Sequence, residues 1–212
     1  MKWLKQRFEV VLLSIYLFNE ERGYQELDRL LVAIKKKYPR ESEFIAAVEK
    51  HRNDEYKHYL MFRHYFESHG ILPLAIGESN GYIDLFVDRI FGIPISELDP
   101  ASIINDDSQF FRLCRLIMIT EFRGMKQVAS LLHSPLVKKS PELVKIFKVV
   151  ERDEPTHCYP YQRWLRKQGA AEPGLRERLA DLSIHYSLML IKFPLLFINP
   201  FKKRASLLPV TA

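Results

Sequence analysis

The chain has 212 residues, of which 47% are hydrophobic and only eight are glycine, and it carries a formal charge of +6. That length and apolar content suit one domain with a substantial core, or one domain with an appendage. The two cysteines, Cys114 and Cys158, form no Cys-x-x-Cys pair, which excludes a zinc ribbon and fits a reducing compartment. The charge permits an anionic partner, nucleic acid or a lipid surface, without demanding one, and dispersed lysines read first as solvated surface. Met1-Lys2-Trp3-Leu4-Lys5 shows no signal-peptide apolar region, so a cytoplasmic location is expected.

Long stretches at helical period predict an all-α protein. The first helix is expected over about Lys2–Lys37, with the stripe Leu13, Leu17, Glu20, Tyr24, Leu27, Leu31, Ile34. Pro39 ends it. The second starts near Glu41, carries Phe44, Val48, His51, Glu55, His58, Phe62 and Tyr65 on one face, and ends at Gly70 and Pro73. A long crossover, 70–107, contains one short amphipathic helix from Tyr82 to Phe91. Asp106 or Asp107 caps the third helix, whose stripe is Cys114, Met118, Glu121, Met125, Val128, Leu132. Ser140-Pro141 opens the fourth, with Leu143, Phe147, Val150, Glu154, His157, Tyr161 and Trp164 on its face. Gly169 and Pro173-Gly174 break the chain again. The predicted division is a helical bundle over 1–169 and, over 170–212, an apolar helix with a basic tail.

Glu20-Glu21-Arg22-Gly23 recurs as Glu121-Phe122-Arg123-Gly124, and Asp54-Glu55-Tyr56-Lys57-His58 recurs as Asp153-Glu154-Pro155-Thr156-His157. The pattern Glu, then Glu-x-x-His, therefore occurs twice, at intervals of 35 and 33 residues (55 − 20 and 154 − 121). At ~1.5 Å per residue, about 34 residues is a helix out, a turn and a return to the same level. Two such hairpins bring four carboxylates and two imidazoles to one height, the ligand set of a two-metal carboxylate site. Glu20 is chosen over Glu21 because it lies in the apolar stripe and aligns with Glu121. Buried carboxylates without partners are costly, and two divalent ions balance four of them. Glu and His at i and i+3 share a helix face, and carboxylate with imidazole suits iron or manganese. The candidate ligands are Glu20, Glu55, His58, Glu121, Glu154 and His157, the four glutamates also being the catalytic candidates.

Asp54 and Asp153 are candidates to orient the histidines, since a ligating imidazole usually donates its other N–H to a carboxylate. Same-helix and cross-bundle pairings both satisfy this. Arg22 and Arg123 could pair with those acids or lie solvated on the outer face. His51 aligns with Val150 and reads as a hydrogen-bonded core histidine, Cys158 as pointing away from the metals, and Tyr24, Tyr59 and Tyr161 as packing near the site. Pro155 deletes a helical hydrogen bond and is expected to kink the fourth helix there, either opening a cavity or altering the second metal position.

The order Glu, Glu-x-x-His, Glu, Glu-x-x-His resembles the ferritin-like di-iron carboxylate superfamily over roughly Lys2 to Gln168. The resemblance implies a ferritin-like four-helix bundle, two iron ions (or a manganese–iron pair) on those six ligands, and an oxidoreductase. Bacterioferritins, rubrerythrins and several oxygenases share the symmetric ligand set. No cysteine-rich rubredoxin module accompanies it, and the 63 residues from His58 to Glu121 weigh against an iron-storage shell. Arg152 to His157 with the following amphipathic segment looks like the demethoxyubiquinone hydroxylases. His69 to Leu74 is similar to tRNA hydroxylases acting on isopentenyl-adenosine. The leading expectation is an O2-dependent oxidase or hydroxylase of a small, mostly apolar substrate with an external electron donor. A ferroxidase or peroxide-detoxifying protein and a non-enzymatic interaction protein with a decayed site are the alternatives. Leu182 to Phe201 is apolar, but His185, Lys192, Pro194 and Asn199 interrupt it, so a spanning helix is not expected. It packs on the bundle, mediates a homodimer, or touches a membrane peripherally through 182–204, with Lys202, Lys203 and Arg204 at the headgroups. Packing is the preferred reading. Nucleic acid is not an expected partner, with tRNA left open.

Overall fold

The computed structural model describes residues 2–77, 80–170, 172–192, 194–198 and 202–209. Its helices are α1 (Lys2–Lys37), α2 (Ser42–Ser68), α3 (Tyr82–Phe91), α4 (Pro100–Asn105), α5 (Asp107–His133), α6 (Pro135–Lys138), α7 (Pro141–Asp153), α8 (Pro155–Lys167) and α9 (Leu175–Lys192). The protein is all-helical, with one isolated bridge, Leu74 to Lys203, among the described residues.

Local chemistry sets the boundaries. α1 ends on Lys35, Lys36 and Lys37, which favour the carbonyl end of the helix dipole, and Pro39 follows. Asp106 caps α5 by accepting from the backbone N–H of Ser108 and Gln109. Pro141 occupies the first turn of α7, and Ser140 sits at the cap position without a side-chain cap bond. The crossover departs from expectation: besides α3 it holds α4, capped by Asp99 ahead of Pro100, and a 3-10 turn at Ile95–Glu97. The fourth expected helix is divided into α7 and α8 at Glu154. Pro155 has no N–H to continue the ladder, and His157 N–H instead donates to the Glu154 carbonyl at 2.9 Å.

α1 packs along α2, α5 packs against α7 and α8, and α2 joins the two hairpins through α7 and α8. Apolar stripes form two clusters along these helices. One includes Leu27, Ile34, Phe44, Val48, Phe110, Cys114, Tyr161 and Trp164. The other includes Leu13, Leu17, Tyr59, Phe62, Phe66, Phe147 and Val150. Between them, on every one of these helices, the stripe turns polar, at Glu20, at His51 to His58, at Glu121 and at Asp153 to His157. A buried polar layer is thus enclosed by apolar packing at both ends.

α9 packs on α3 and α5. It buries Ala180, Ile184 and Leu188 and leaves Leu179, Leu182, Tyr186, Met189 and Leu190 exposed. Arg22 and Arg123, equivalent in the repeat, do not pair with Asp54 or Asp153. Arg22 pairs with Asp84 of α3 at 3.1 Å, and Arg123 pairs with Asp181 of α9. Each arginine fastens an added helix to the outside of its hairpin. No described helix is long and apolar enough to cross a membrane. Met1, Asn199 and Phe201, named in the sequence reading, lie outside the described residues.

Candidate metal centre

Five helices and the α7–α8 junction converge on the polar layer. α1 supplies Glu20, and α2 supplies His51, Asp54, Glu55 and His58. α5 supplies Glu121, α7 Asp153, the α7–α8 junction Glu154, and α8 His157. Among the described residues, two sets of donors gather within 4.8 Å of one another and could each hold a metal ion: Glu20, Glu55 and His58, and His51, Glu55, Glu121 and His157. Glu55 belongs to both. Glu154 stands beside the second set, with Oε2 3.9 Å from His157 Nδ1. All six sequence candidates therefore lie in one layer, five of them inside a donor set.

The histidines are oriented across the interface between hairpins. His58 turns Nδ1 toward Glu20 Oε2 at 3.3 Å and Nε2 toward Asp153 Oδ2 at 3.2 Å. His157 turns Nδ1 toward Glu55 Oε1 at 3.3 Å and Nε2 toward Asp54 Oδ2 at 3.3 Å. Each aspartate thus serves the histidine of the other repeat. Lys57 Nζ bridges the two acids at 2.6 Å to each, and Lys50 adds a second cation to Asp54. Burial would raise Asp153, but hydrogen bonds from Arg152, Lys57 and His58 outweigh it and hold its pKa at about 2. Burial also opposes ionisation of Asp54, which His157, Lys50 and Lys57 nevertheless hold well below the ordinary carboxylate range.

The glutamates are differently placed. Burial and the charge of Glu55 raise Glu20 to about 8. Burial and then Glu121, Glu55 and Glu20 push Glu154 far above the ordinary value. Burial would raise Glu121 too, but His51 and His157 pull it below. Burial lowers His51 and His58, yet Glu121 and Glu55 hold the first up at about 10, and Glu20 holds the second up at about 9. The carboxylates therefore compete for too few protons and cations. One oxygen of Glu154 and Nδ1 of His157, both in nearly fully buried residues, make no hydrogen bond. Buried polar atoms are rarely left so, and divalent cations would satisfy both. The donors fit such ions.

This electrostatic arrangement predicts the pH behaviour of metal loading. At neutral pH the metal-free protein holds protons on candidate ligands that would have to lose them to bind a metal: Glu20, Glu154 and His58 all have raised values. Ligation takes the carboxylate and neutral imidazole forms, so loading releases protons and affinity rises with pH. Calorimetric titration of metal-free protein with Fe(II), in two buffers of different ionisation enthalpy at pH 7, is expected to report more than one proton released per chain. Equal heats in the two buffers would contradict the assignment.

Two glycines make room for the carboxylates. A Cβ on Gly23 would stand 2.5 Å from Glu55 Oε2, and one on Gly124 would stand 3.3 Å from both oxygens of Glu154. Glycine inside a helix costs roughly 0.5–1 kcal/mol relative to alanine. Here each occupies the third position after a candidate ligand glutamate, where the neighbouring helix delivers its carboxylate.

Among the described residues, cavities reach the layer from two sides. One of about 80 Å³ leads from the crossover residues Ile83, Val87 and Leu98 to His51, Glu55 and Glu121. The other, about 560 Å³, lies between α1 and α5 under α9 and meets Glu20, Glu55, Glu121 and Glu154. Tyr16 and Asn19 line the larger one, and the Tyr16 hydroxyl and Asn19 Oδ1 are buried without a hydrogen bond. The sequence reading did not single out either residue, although Tyr16 lies one turn before Glu20 and its place on that face was visible. Of the tyrosines it did name, Tyr161 touches the layer, through His51, at 3.2 Å. Tyr24 and Tyr59 pack against each other outside it. Cys158 Sγ lies 3.7 Å from Met125 Sδ, and burial pushes its thiol up to about 11.

Comparison with family models, curated proteins and solved structures returned no match for the chain.

Proposed function

We propose that the chain is a ferritin-like four-helix protein holding two iron ions, or a manganese–iron pair, and acting as an O2-dependent oxidase or hydroxylase on a mostly apolar substrate. The observation that carries this reading is the 560 Å³ cavity that reaches all four glutamates. That volume lies within the range of small-molecule sites. Leu12, Ile15, Leu131, Leu188 and Met189 give it apolar walls. The metal pair would supply the redox chemistry with O2, with electrons from an external donor. The chain's own groups supply the rest. Glu20, Glu55, Glu121 and Glu154 would hold the ions through their carboxylates, and His58 and His157 through their imidazoles. Asp54 and Asp153 hold those rings in position, and the two apolar clusters pack the layer at both ends.

One observation favours a second reading. Lys126, Gln127 and Ser130 also line the larger cavity, and such a polar path would suit a ferroxidase or a peroxide-detoxifying protein. A decayed site in an interaction protein is less well supported. Lys57 is bound to the aspartates and not to the glutamates, and Glu154 and His157 keep unsatisfied atoms. The outward apolar face of α9 is the natural place to seek a second copy or a lipid surface. The test is elemental analysis of untagged protein expressed with iron, followed by O2 uptake with a reductant. About two irons per chain, reduced in Glu20→Ala, is expected. Folded protein without metal would end the reading. Uptake stimulated by apolar molecules separates the hydroxylase from the ferroxidase, for which Fe(II) alone drives uptake.

A further inference from the structure

We propose that His51 is a metal ligand, and that the two metal positions are therefore unequal. The position of Glu121 and His157 takes two imidazoles with two carboxylates, whereas that of Glu20 and His58 takes one imidazole with two carboxylates. The inference rests on the two-metal reading above.

His51 is 2% exposed, and its Nε2 points at carboxylates of both hairpins, 3.6 Å from Glu55 Oε1 and 3.5 Å from Glu121 Oε1. His157 Nδ1 faces the same two residues at 3.3 and 3.6 Å. These separations are long for hydrogen bonds. Donor atoms bound to one ion at about 2.0–2.1 Å stand about 3.0–3.4 Å apart, so a small contraction would close the set. The two rings lie 4.2 Å apart at 23°, and His51 Nε2 and His157 Nδ1 both face Glu55 and Glu121. The other nitrogen of His51 lies 3.2 Å from the Tyr161 hydroxyl. A ligating imidazole ordinarily has its remaining nitrogen held in this way. His157 Nδ1, buried and without a hydrogen bond, independently marks the space between these groups as wanting a ligand.

The repeat shows why the asymmetry is specific to one position. Val150 occupies the place in the second hairpin that His51 occupies in the first. No imidazole reaches the Glu20 position from there. Imidazole suits iron and carboxylate suits manganese as well, so the two-imidazole position is the one expected to hold iron even when manganese fills the other.

The test is Mössbauer spectroscopy and iron analysis of protein loaded with ⁵⁷Fe, comparing wild type, His51→Ala and His51→Gln. Gln preserves a hydrogen-bonding group but is a poor ligand, so it separates ligation from a merely structural contact. Wild type is expected to give two distinct quadrupole doublets of equal area. In both variants one doublet should shift or vanish while the other stays, with iron falling toward one per chain. Two irons and both doublets unchanged in both variants, or full rescue by Gln, would overturn the role of His51 and leave the two-metal reading standing. Wild type without iron would overturn both. Pulsed EPR of the one-electron-reduced wild type needs no variant to fold: couplings from two imidazoles at one ion are expected, and one imidazole at each ion would count against the proposal.

Discussion

Glu55→Ala is expected to lose both metal ions and keep its fold. Glu55 is the one residue common to the two donor sets. Iron per chain should fall from about two to near zero, against a partial loss in Glu20→Ala or Glu121→Ala, each of which removes a donor from one set. Stability should move differently. In the metal-free protein Glu55 is a buried carboxylate whose charge raises both Glu20 and Glu154. Removing it relieves that repulsion but also takes a carboxylate from buried His51 and His157, and these opposed effects should leave the metal-free variant unfolding near the wild-type temperature. Ligand binding stabilises by mass action, about 2.7 kcal/mol at a metal concentration a hundred times Kd. That increment should appear in wild type and be absent from the variant. Thermal unfolding with and without Fe(II), beside elemental analysis, checks both halves. One tightly held iron in Glu55→Ala would mean that the residue is not shared.

Gly23→Ala should separate stability from metal binding in the opposite way to an ordinary helix substitution. Glycine to alanine inside a helix usually gains about 0.5–1 kcal/mol. The added Cβ would meet Glu55 Oε2 at 2.5 Å, but that oxygen is the end of a flexible side chain and can swing away. The metal-free protein should therefore be as stable as wild type or slightly more so. The carboxylate, however, would leave the position shared by both ions. Displacing a group that orients metal ligands costs about ten- to hundredfold in affinity, and displacing a ligand itself should reach at least the upper end. Gly124→Ala, whose Cβ would lie 3.3 Å from the Glu154 oxygens, should lose less. Competition with a chromophoric chelator measures both. Equal affinities in wild type and Gly23→Ala would remove the glycine from the account.

The aspartates show how far spacing alone can carry the assignment. Asp54 precedes His58 by four residues, and Asp153 precedes His157 by four, so either histidine could have found its acid on its own helix. Packing of α2 against α7 and α8 selects the crossed pairs, because Lys57 sits between the acids and holds both facing the opposite hairpin. Arg22 and Arg123 show the same limit. Their place in the repeat was evident, but their partners, Asp84 and Asp181, sit on helices outside the repeat.

The long helices, the register of the six candidate ligands and the break at Pro155 were legible in the chain itself. Each depends on the 3.6-residue period, on caps, or on a missing N–H, and all of these act within a few residues. Tertiary structure alone decided that His51 turns toward Glu55 and Glu121, that Glu154 stands slightly apart, and that Tyr16 and Asn19 open on a cavity under α9. Helical period reports which face a residue occupies. It does not report which atoms of another helix meet that face, because this depends on how the helices pack against one another.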